Sequence, residues 1–398
     1  MATEGMARTN EGRGTCQHMC PAREVLQRQS TNEVNPFEAT SGTAHCNPTQ
    51  RILSPELAVK VFRRSAAGSE KTRLEDVRPL PVLFQTVQHL LGPAVLQSVA
   101  PLEESYPFIA DRFLAVRQDA IVQGLDGEES VYGPMCRFYI FAHLRLSSLV
   151  LSRGCFDGTL NFRALQACLA SLLQRHGRQP GYPEEYICYQ SLLSLLTGGE
   201  EATRYALQLQ VLNSAHARLT RCALHALRSL NYVEFFGCFQ VPASSLLAAT
   251  SASDGMTSRS LVFIRCLLCD FVQDFRLRSL AVMNKAYPKQ EKFPLGEVCR
   301  LLNFSSDSDA TQSLLSAGLV VSSPSASGNL ELDYSLLPAF VQFHLVKEIS
   351  ETPHSLVDRE TQGGWHDSAD LVIGPLTCFQ SSETSRDNAE RLIVGAIL

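Results

Sequence analysis

The sequence predicts an all-α fold, a stack of antiparallel helical hairpins that ends in the element order of a winged helix. Three observations predict it. From Pro81 onward, apolar residues recur three and four apart for about two hundred residues. Strand-like alternation is nearly absent from that stretch. The helical segments are short and several stop at a glycine, as at Gly92, Gly154 and Gly177, where a helix end tolerates a left-handed residue. Short helices with short breaks favour antiparallel neighbours stacked as a solenoid. No repeat of fixed period is visible.

Each element follows in chain order. Residues 1–50 are polar and read as a mostly flexible arm, structured only around Cys16–Arg28. Residues 51–288 read as the helical domain, entered through the Arg-rich stretch Arg51–Arg78. Its helices are LPVLFQTVQHLL, YPFIADRFLAVRQDAIVQ, CRFYIFAHLRLSSLVLSR, LNFRALQACLASLLQRH, PEEYICYQSLLSLL and the long run from Thr203 to Phe239. After the break VPASSLLAATSASDG comes a helix over Ser258–Tyr287, with Leu261, Ile264, Leu268, Phe271 and Phe275 on one buried stripe. Residues 289–335 read as the winged helix: FPLGEVCRLLNF, a second helix capped by Asp309 with Gln312, then the strands GLVVS and NLELD around PSASGN. Residues 351–398 read as a disordered tail.

Composition excludes several classes. A charge of −5 gives no basic field for nucleic acid, and no apolar run reaches the length of a membrane span. The first residues, MATEGMARTNEGRG, lack the apolar core of a secretory signal. The 13 scattered cysteines fit buried thiols in a reducing compartment, hence nucleus or cytoplasm. No G-x-S-x-G elbow or H-E-x-x-H pair occurs, and no enzymatic activity is expected. Cys16, His18, Cys20, His45 and Cys46 lack the paired hooks of a structural zinc site, so no metal or other cofactor is expected. Met19 and Cys20 are expected to pack the arm on the helical domain.

The helix at Tyr106–Gly124 poses the main question. Ile109, Phe113, Val116 and Ala120 form one apolar strip, and Ala110, Leu114 and Ile121 a second, so neighbours should bury the helix on nearly all sides. Arg112 and Asp119 are then buried charges that need partners. Seven residues separate them, about 10.5 Å along the axis, so one group from a neighbouring helix is expected to bridge them as a register-setting lock.

Two surfaces are candidates for partners. Arg51–Arg78 holds seven bases against four acids, and Lys60, Arg63 and Arg64 are the first candidates for RNA contact; a solvated connection is the other reading. Phe293–Asp333 holds one base, Arg300, against five acids, so its winged helix should dock protein, through the apolar face near Leu314 and Leu319.

The segment ADRFLAVRQDAIVQG resembles the signature of the Sac/GANP family, which runs Phe-Ile-x-Asp-Arg-x-Arg-x-Ile-Arg-Gln-Asp. Asp111, Arg112, Arg117, Gln118 and Asp119 match it, while Leu114 stands where the family carries arginine. GTCQHMCPAREVLQR resembles the family's entry motif through Cys16, Met19, Cys20, Pro21 and Glu24, with Gln17 in place of a proline. AVKVFRRSAAGSEK, VRPLPVLFQTVQHLL, PEEYICYQSLLSLL and LNYVEFFGCF resemble later blocks, so the likeness covers residues 14–335. It is greatest to a short member, not to the long export scaffolds. The resemblance implies a non-catalytic array related to the PCI and TPR-like folds. It also implies scaffolding in a complex for messenger-RNA export or at the centrosome and spindle, in nucleus, cytoplasm or both. The partners it implies are a PCI-domain protein and a small acidic protein, for which the basic edge with Arg276 and Arg278 on the long helix is the candidate. No centrin-recruiting helix is visible, so direct centrin binding is not expected.

Overall fold

The computed structural model describes residues 13–64, 73–98, 100–147, 156–176, 184–197, 209–210, 212, 214–240, 254–286, 293–316, 320–322, 331–333 and 397. They are mostly helical, as expected. The helices are α1 (Ala22–Ser30), α2 (Leu80–Leu91), α3 (Leu102–Val122), α4 (Glu129–Leu146), α5 (Gly158–His176), α6 (Glu185–Thr197), α7 (Ala215–Ser229), α8 (Tyr232–Gly237), α9 (Asp254–Ala286), α10 (Leu295–Leu301) and α11 (Asp307–Ser316). The expected disordered tail and the turn PSASGN lie outside the described residues, Ile397 excepted, which is buried. The described residues divide into two compact units.

The first unit is drawn from Met1–Cys136, Ala167–Pro180 and Ile397–Leu398. Its core joins α2 to α3 through Leu83, Val87, Leu90, Ile109, Phe113 and Val116, all wholly buried. Residues 13–64 depart from the expected flexible arm. They carry α1, the 3-10 turns Pro36–Glu38 and Pro48–Gln50, and an antiparallel bridge between Ala39 and Leu53. Cys20, Val34, Ala39, Leu53 and Ala58 pack into one apolar cluster there. Two glycines are needed for close approach. A Cβ on Gly14 would stand 2.2 Å from the Val77 carbonyl oxygen, and one on Gly127, at φ +73°, would stand 2.2 Å from that of Ser171.

The second unit is drawn from Arg137–Gln166 and Gly181–Ala396. Within it α9 packs on α6 and α7, and α8 packs on α7. Leu230, in left-handed conformation at φ 54°, ends α7, and the Asn231 side chain accepts the Glu234 N–H to start α8, so the expected continuous run to Phe239 is broken there. The expected stripe on α9 is wider than predicted. Every residue from Val262 to Cys269 is buried, Arg265 among them, while Leu261 is only partly covered.

At its far end the unit forms a three-stranded antiparallel sheet of β1 (Phe293–Pro294), β2 (Val320–Ser322) and β3 (Glu331–Asp333), in the order β1-β3-β2. Leu332 pairs with Phe293 on one side and Val321 on the other. β1 is an addition to the expected order of helix, helix, strand, strand. The second helix begins earlier than predicted: the Ser306 hydroxyl accepts the Asp309 N–H at 3.1 Å, and Asp309 reaches back to the Ser305 N–H at 3.2 Å. Asp309 is thus the third residue of the helix and not its cap.

Candidate functional site

The signature helix α3 holds its charges against the first eighty residues of the chain, in two clusters. In the first, Glu38 ends the 3-10 turn that Asn35 opens by accepting the Phe37 N–H at 3.1 Å. Its carboxylate is wholly buried between Arg28 of α1 and Arg112 of α3. Arg28 meets both carboxylate oxygens, and Arg112 donates to Oε2 at 3.1 Å. The Val59 N–H adds a donor to Oε1 at 2.9 Å, and Arg28 returns a bond to the Val59 carbonyl at 3.2 Å. Arg112 also bonds Asp111 at 2.5 Å and lies 4.5 Å over the Phe108 ring. Burial alone would lower the Arg28 pKa, but the hydrogen bond and charge of Glu38 outweigh it and hold it raised.

In the second cluster, Asp119 takes Lys60 on Oδ1 at 2.7 Å and the Arg78 Nε on Oδ2 at 2.7 Å. Lys60 also donates to the Asp76 carbonyl at 2.6 Å, and Arg78 to that of Met19 at 3.2 Å. Arg112 and Asp119 therefore share no bridging group, contrary to the expectation. Each has its own partners, and these come from the segment read as an arm and from the connection behind it.

Both clusters converge on residues 59–63. Val59 N–H goes to Glu38, Lys60 N–H to the Met19 carbonyl at 3.0 Å, Val61 N–H to Glu24 at 2.8 Å and Phe62 N–H to Asp111 at 3.4 Å. Gln118 then donates to the Arg63 carbonyl at 3.2 Å. These four N–H groups belong to no helix or sheet, yet three side chains and one carbonyl satisfy them, which lets an irregular segment pass from wholly covered Val59 through half-buried Lys60, Val61 and Phe62.

The other predicted residues are placed as follows. Cys16, Met19, Cys20 and Pro21 are buried. Burial, with Glu24 next, pushes the Cys20 thiol up to about 12, which makes it a poor nucleophile. Arg117 lies 6.0 Å over the Tyr132 ring. Among the RNA candidates, Lys60 is held by Asp119, while Arg63 and Arg64 are exposed. Among the partner candidates, Leu314 is wholly buried and so is core, not a docking face, and Leu319 lies outside the described residues. Arg276 is buried and donates to the Leu302 and Asn303 carbonyls at 3.0 and 2.6 Å, 4.0 Å over the Phe304 ring. Arg278 pairs with Asp274 at 2.7 Å. The expected basic edge is thus turned inward at Arg276 and locally neutralised at Arg278. Among the described residues no group of three or more His, Cys, Asp or Glu side chains is placed to hold a metal ion.

Sequence reasoning missed Arg28, Glu38 and Arg78 as members of the seam that the two clusters form between α3 and the chain before it. The available signal was arithmetic: two buried charges on one helix demand opposite charges elsewhere, and Asn-Pro-Phe-Glu is a turn that can bury its last residue.

The sequence profile of the SAC3/GANP family matches residues 19–323, which include the whole seam. The chain is 26% identical to SAC3 family protein 1 of Schizosaccharomyces pombe over 348 residues, covering 80% of this chain and 31% of that protein. It is 24% identical to Protein xmas of Drosophila melanogaster over 363 residues, 85% of this chain and 16% of the relative. It is 27% identical to SAC3 family protein B of Arabidopsis thaliana over 242 residues, 56% and 14% respectively. The chain thus spans less than a third of the length of each of these relatives.

Proposed function

The chain belongs to the SAC3/GANP family, and from that premise we propose that it is a non-catalytic scaffold that works by holding other proteins in a complex. One observation carries the reading. The family signature Asp111-Arg112 and Asp119 is engaged in burying α1 and residues 59–63 against α3, so its charges serve architecture and not a reacting substrate. The complex is of the messenger-RNA export type or is associated with centrosome and spindle, and the protein works in the nucleus, at the centrosome or in both. A PCI-domain protein and a small acidic protein are its proposed partners.

We read α10, α11 and the three-stranded sheet as a winged helix that docks protein. Its element order and the pairing of β3 between β1 and β2 support this. So does its charge, one base against five acids over Phe293–Asp333, which disfavours phosphate. With Leu314 in the core, docking uses some other part of this unit. Affinity purification of the tagged protein from dividing cells, with mass spectrometry, tests the function. Recovery of a PCI-domain protein with pore components supports the export setting, and recovery of pericentriolar and spindle proteins supports the other. Recovery of the bait alone contradicts scaffolding.

Exposure of Arg63 and Arg64 favours a second reading, an RNA-binding adaptor. It is the weaker reading, because Lys60, Arg78 and Arg51 of the same stretch are engaged inside the protein, Arg51 by the Val34 and Cys46 carbonyls.

A further inference from the structure

The outer face of α3 does not carry the burial expected of it. Leu114, Ile121 and Val122 are 37%, 55% and 44% exposed, although Phe113, Val116 and Ala120 on the opposite side are wholly covered. Pro107 is exposed on the same face. At 100° per residue Pro107, Leu114, Ile121 and Val122 fall within one side of the helix, around Gln118. From Pro107 to Val122 the row runs about 22 Å, roughly four turns.

The segment 62–64 borders this row. Phe62 is tied to Asp111 and Arg63 to Gln118, so the chain passes along the flank of α3 beside Leu114. It leaves Arg63 and Arg64 exposed there. Beside the segment, Asp111 bonds Arg112 and the Phe62 N–H, and Glu24 bonds the Val61 N–H, while Glu104 is exposed one turn before Pro107, at the end of the row remote from Gln118. An apolar row with an exposed basic rim is the result.

We propose that this face of α3, with Arg63 and Arg64, is a docking surface for an acidic amphipathic helix of a partner protein. The charge of the rim selects acid on the partner. Backbone chemistry selects a helix. An extended peptide needs a free strand edge to pair with, but the N–H groups of Val59, Lys60, Val61 and Phe62 are already bonded. A helix satisfies its own backbone and lays apolar residues at three- and four-residue spacing on the row. RNA is disfavoured because only the two rim arginines can meet phosphate, and the row itself carries no aromatic ring for a base to stack on. The proposal deepens the scaffold reading and rests on it.

The test uses the full-length protein and two synthetic helices of about 18 residues with the same leucine stripe, one flanked by Glu and one by Lys. Fluorescence anisotropy at low salt is expected to show the Glu-flanked peptide binding about tenfold or more tightly than the Lys-flanked one. Ile121→Glu is expected to weaken the Glu-flanked peptide about tenfold, and the pair Arg63→Glu with Arg64→Glu to weaken it comparably and flatten its salt dependence. These side chains are exposed, so each variant should melt like the parent. Equal binding of the two peptides overturns the proposal, as does an Ile121→Glu variant that binds normally or a single-stranded RNA probe that competes more strongly than either peptide. Because the assay uses purified protein, failure to capture a cellular complex would count against scaffolding while leaving this surface intact.

Discussion

The protein buries arginine in two different ways, and the contrast separates what sequence can reveal from what it cannot. In the first unit Arg28, Arg78 and Arg112 meet carboxylates, and those carboxylates also hold the backbone of an irregular segment. The second unit repeats that mode where Arg137 meets the buried Glu185 carboxylate at 2.5 Å, but there Arg276 bonds two backbone carbonyls at the end of α10 and lies over Phe304. The first arrangement is reciprocal: remove one member and an opposite charge is left buried. Without Arg276 the Leu302 and Asn303 carbonyls lose their donor, and an unpaired neutral carbonyl is a smaller penalty than an unpaired buried charge. Glu38 and Arg276 should therefore respond to substitution on different scales.

The largest effect should come from Glu38. Glu38→Ala leaves two guanidinium groups and the Val59 N–H without their acceptor, which should cost about 3–5 kcal/mol in urea unfolding. Asp119→Ala should fall slightly below it, because Lys60 keeps the Asp76 carbonyl and some contact with water. Arg112→Ala should cost about 2–4 kcal/mol, since Arg28 still neutralises Glu38. A melting curve like that of the parent for Arg112→Ala would break the comparison. Arg276→Leu should cost about 1–3 kcal/mol, and a loss as great as that of Glu38→Ala would show the two modes to be equivalent.

The smallest effect concerns pH. Burial lowers the His89 pKa, with Glu38 and a hydrogen bond to the Leu57 backbone opposing it. The folded protein therefore holds His89 neutral where the unfolded chain takes up a proton, near pH 6.5. The unfolded state binds more protons, so this contribution is present above about pH 6.5 and is lost as pH falls below it. Melting temperatures of the parent should drop more between pH 7.5 and 5.5 than those of His89→Gln, and parallel curves would remove His89 from the account.

Legibility followed periodicity. The helical class and α2, α3 and the buried part of α9 were readable because their apolar residues repeat at three and four. The demand for partners at Arg112 and Asp119 was readable for the same reason, since they sit on a helix that needs burial. The partners were not. Glu38 lies in a three-residue turn, and Lys60 and Arg78 lie outside any helix or strand, where side-chain-to-backbone bonds leave no repeat. β1 was hidden because two residues cannot show alternation. Leu114 and Ile121 mislead in the opposite sense: an apolar strip implies burial, yet this one lies open on the outer face. Arg276 misled too, because no sequence pattern marks an arginine that stacks on a ring and bonds backbone carbonyls.

The central claim is that the signature charges exist to pin residues 59–62 between α1 and α3. Hydrogen exchange of those four amides measures it most directly, because each N–H is bonded to a group of the seam or to the Met19 carbonyl. In the parent protein they should exchange as slowly as the amides in the middle of α3, and in Glu38→Gln the Val59 amide should lose protection before α3 does. Fast exchange of all four in the parent, at the rate of an unstructured peptide, would contradict the account.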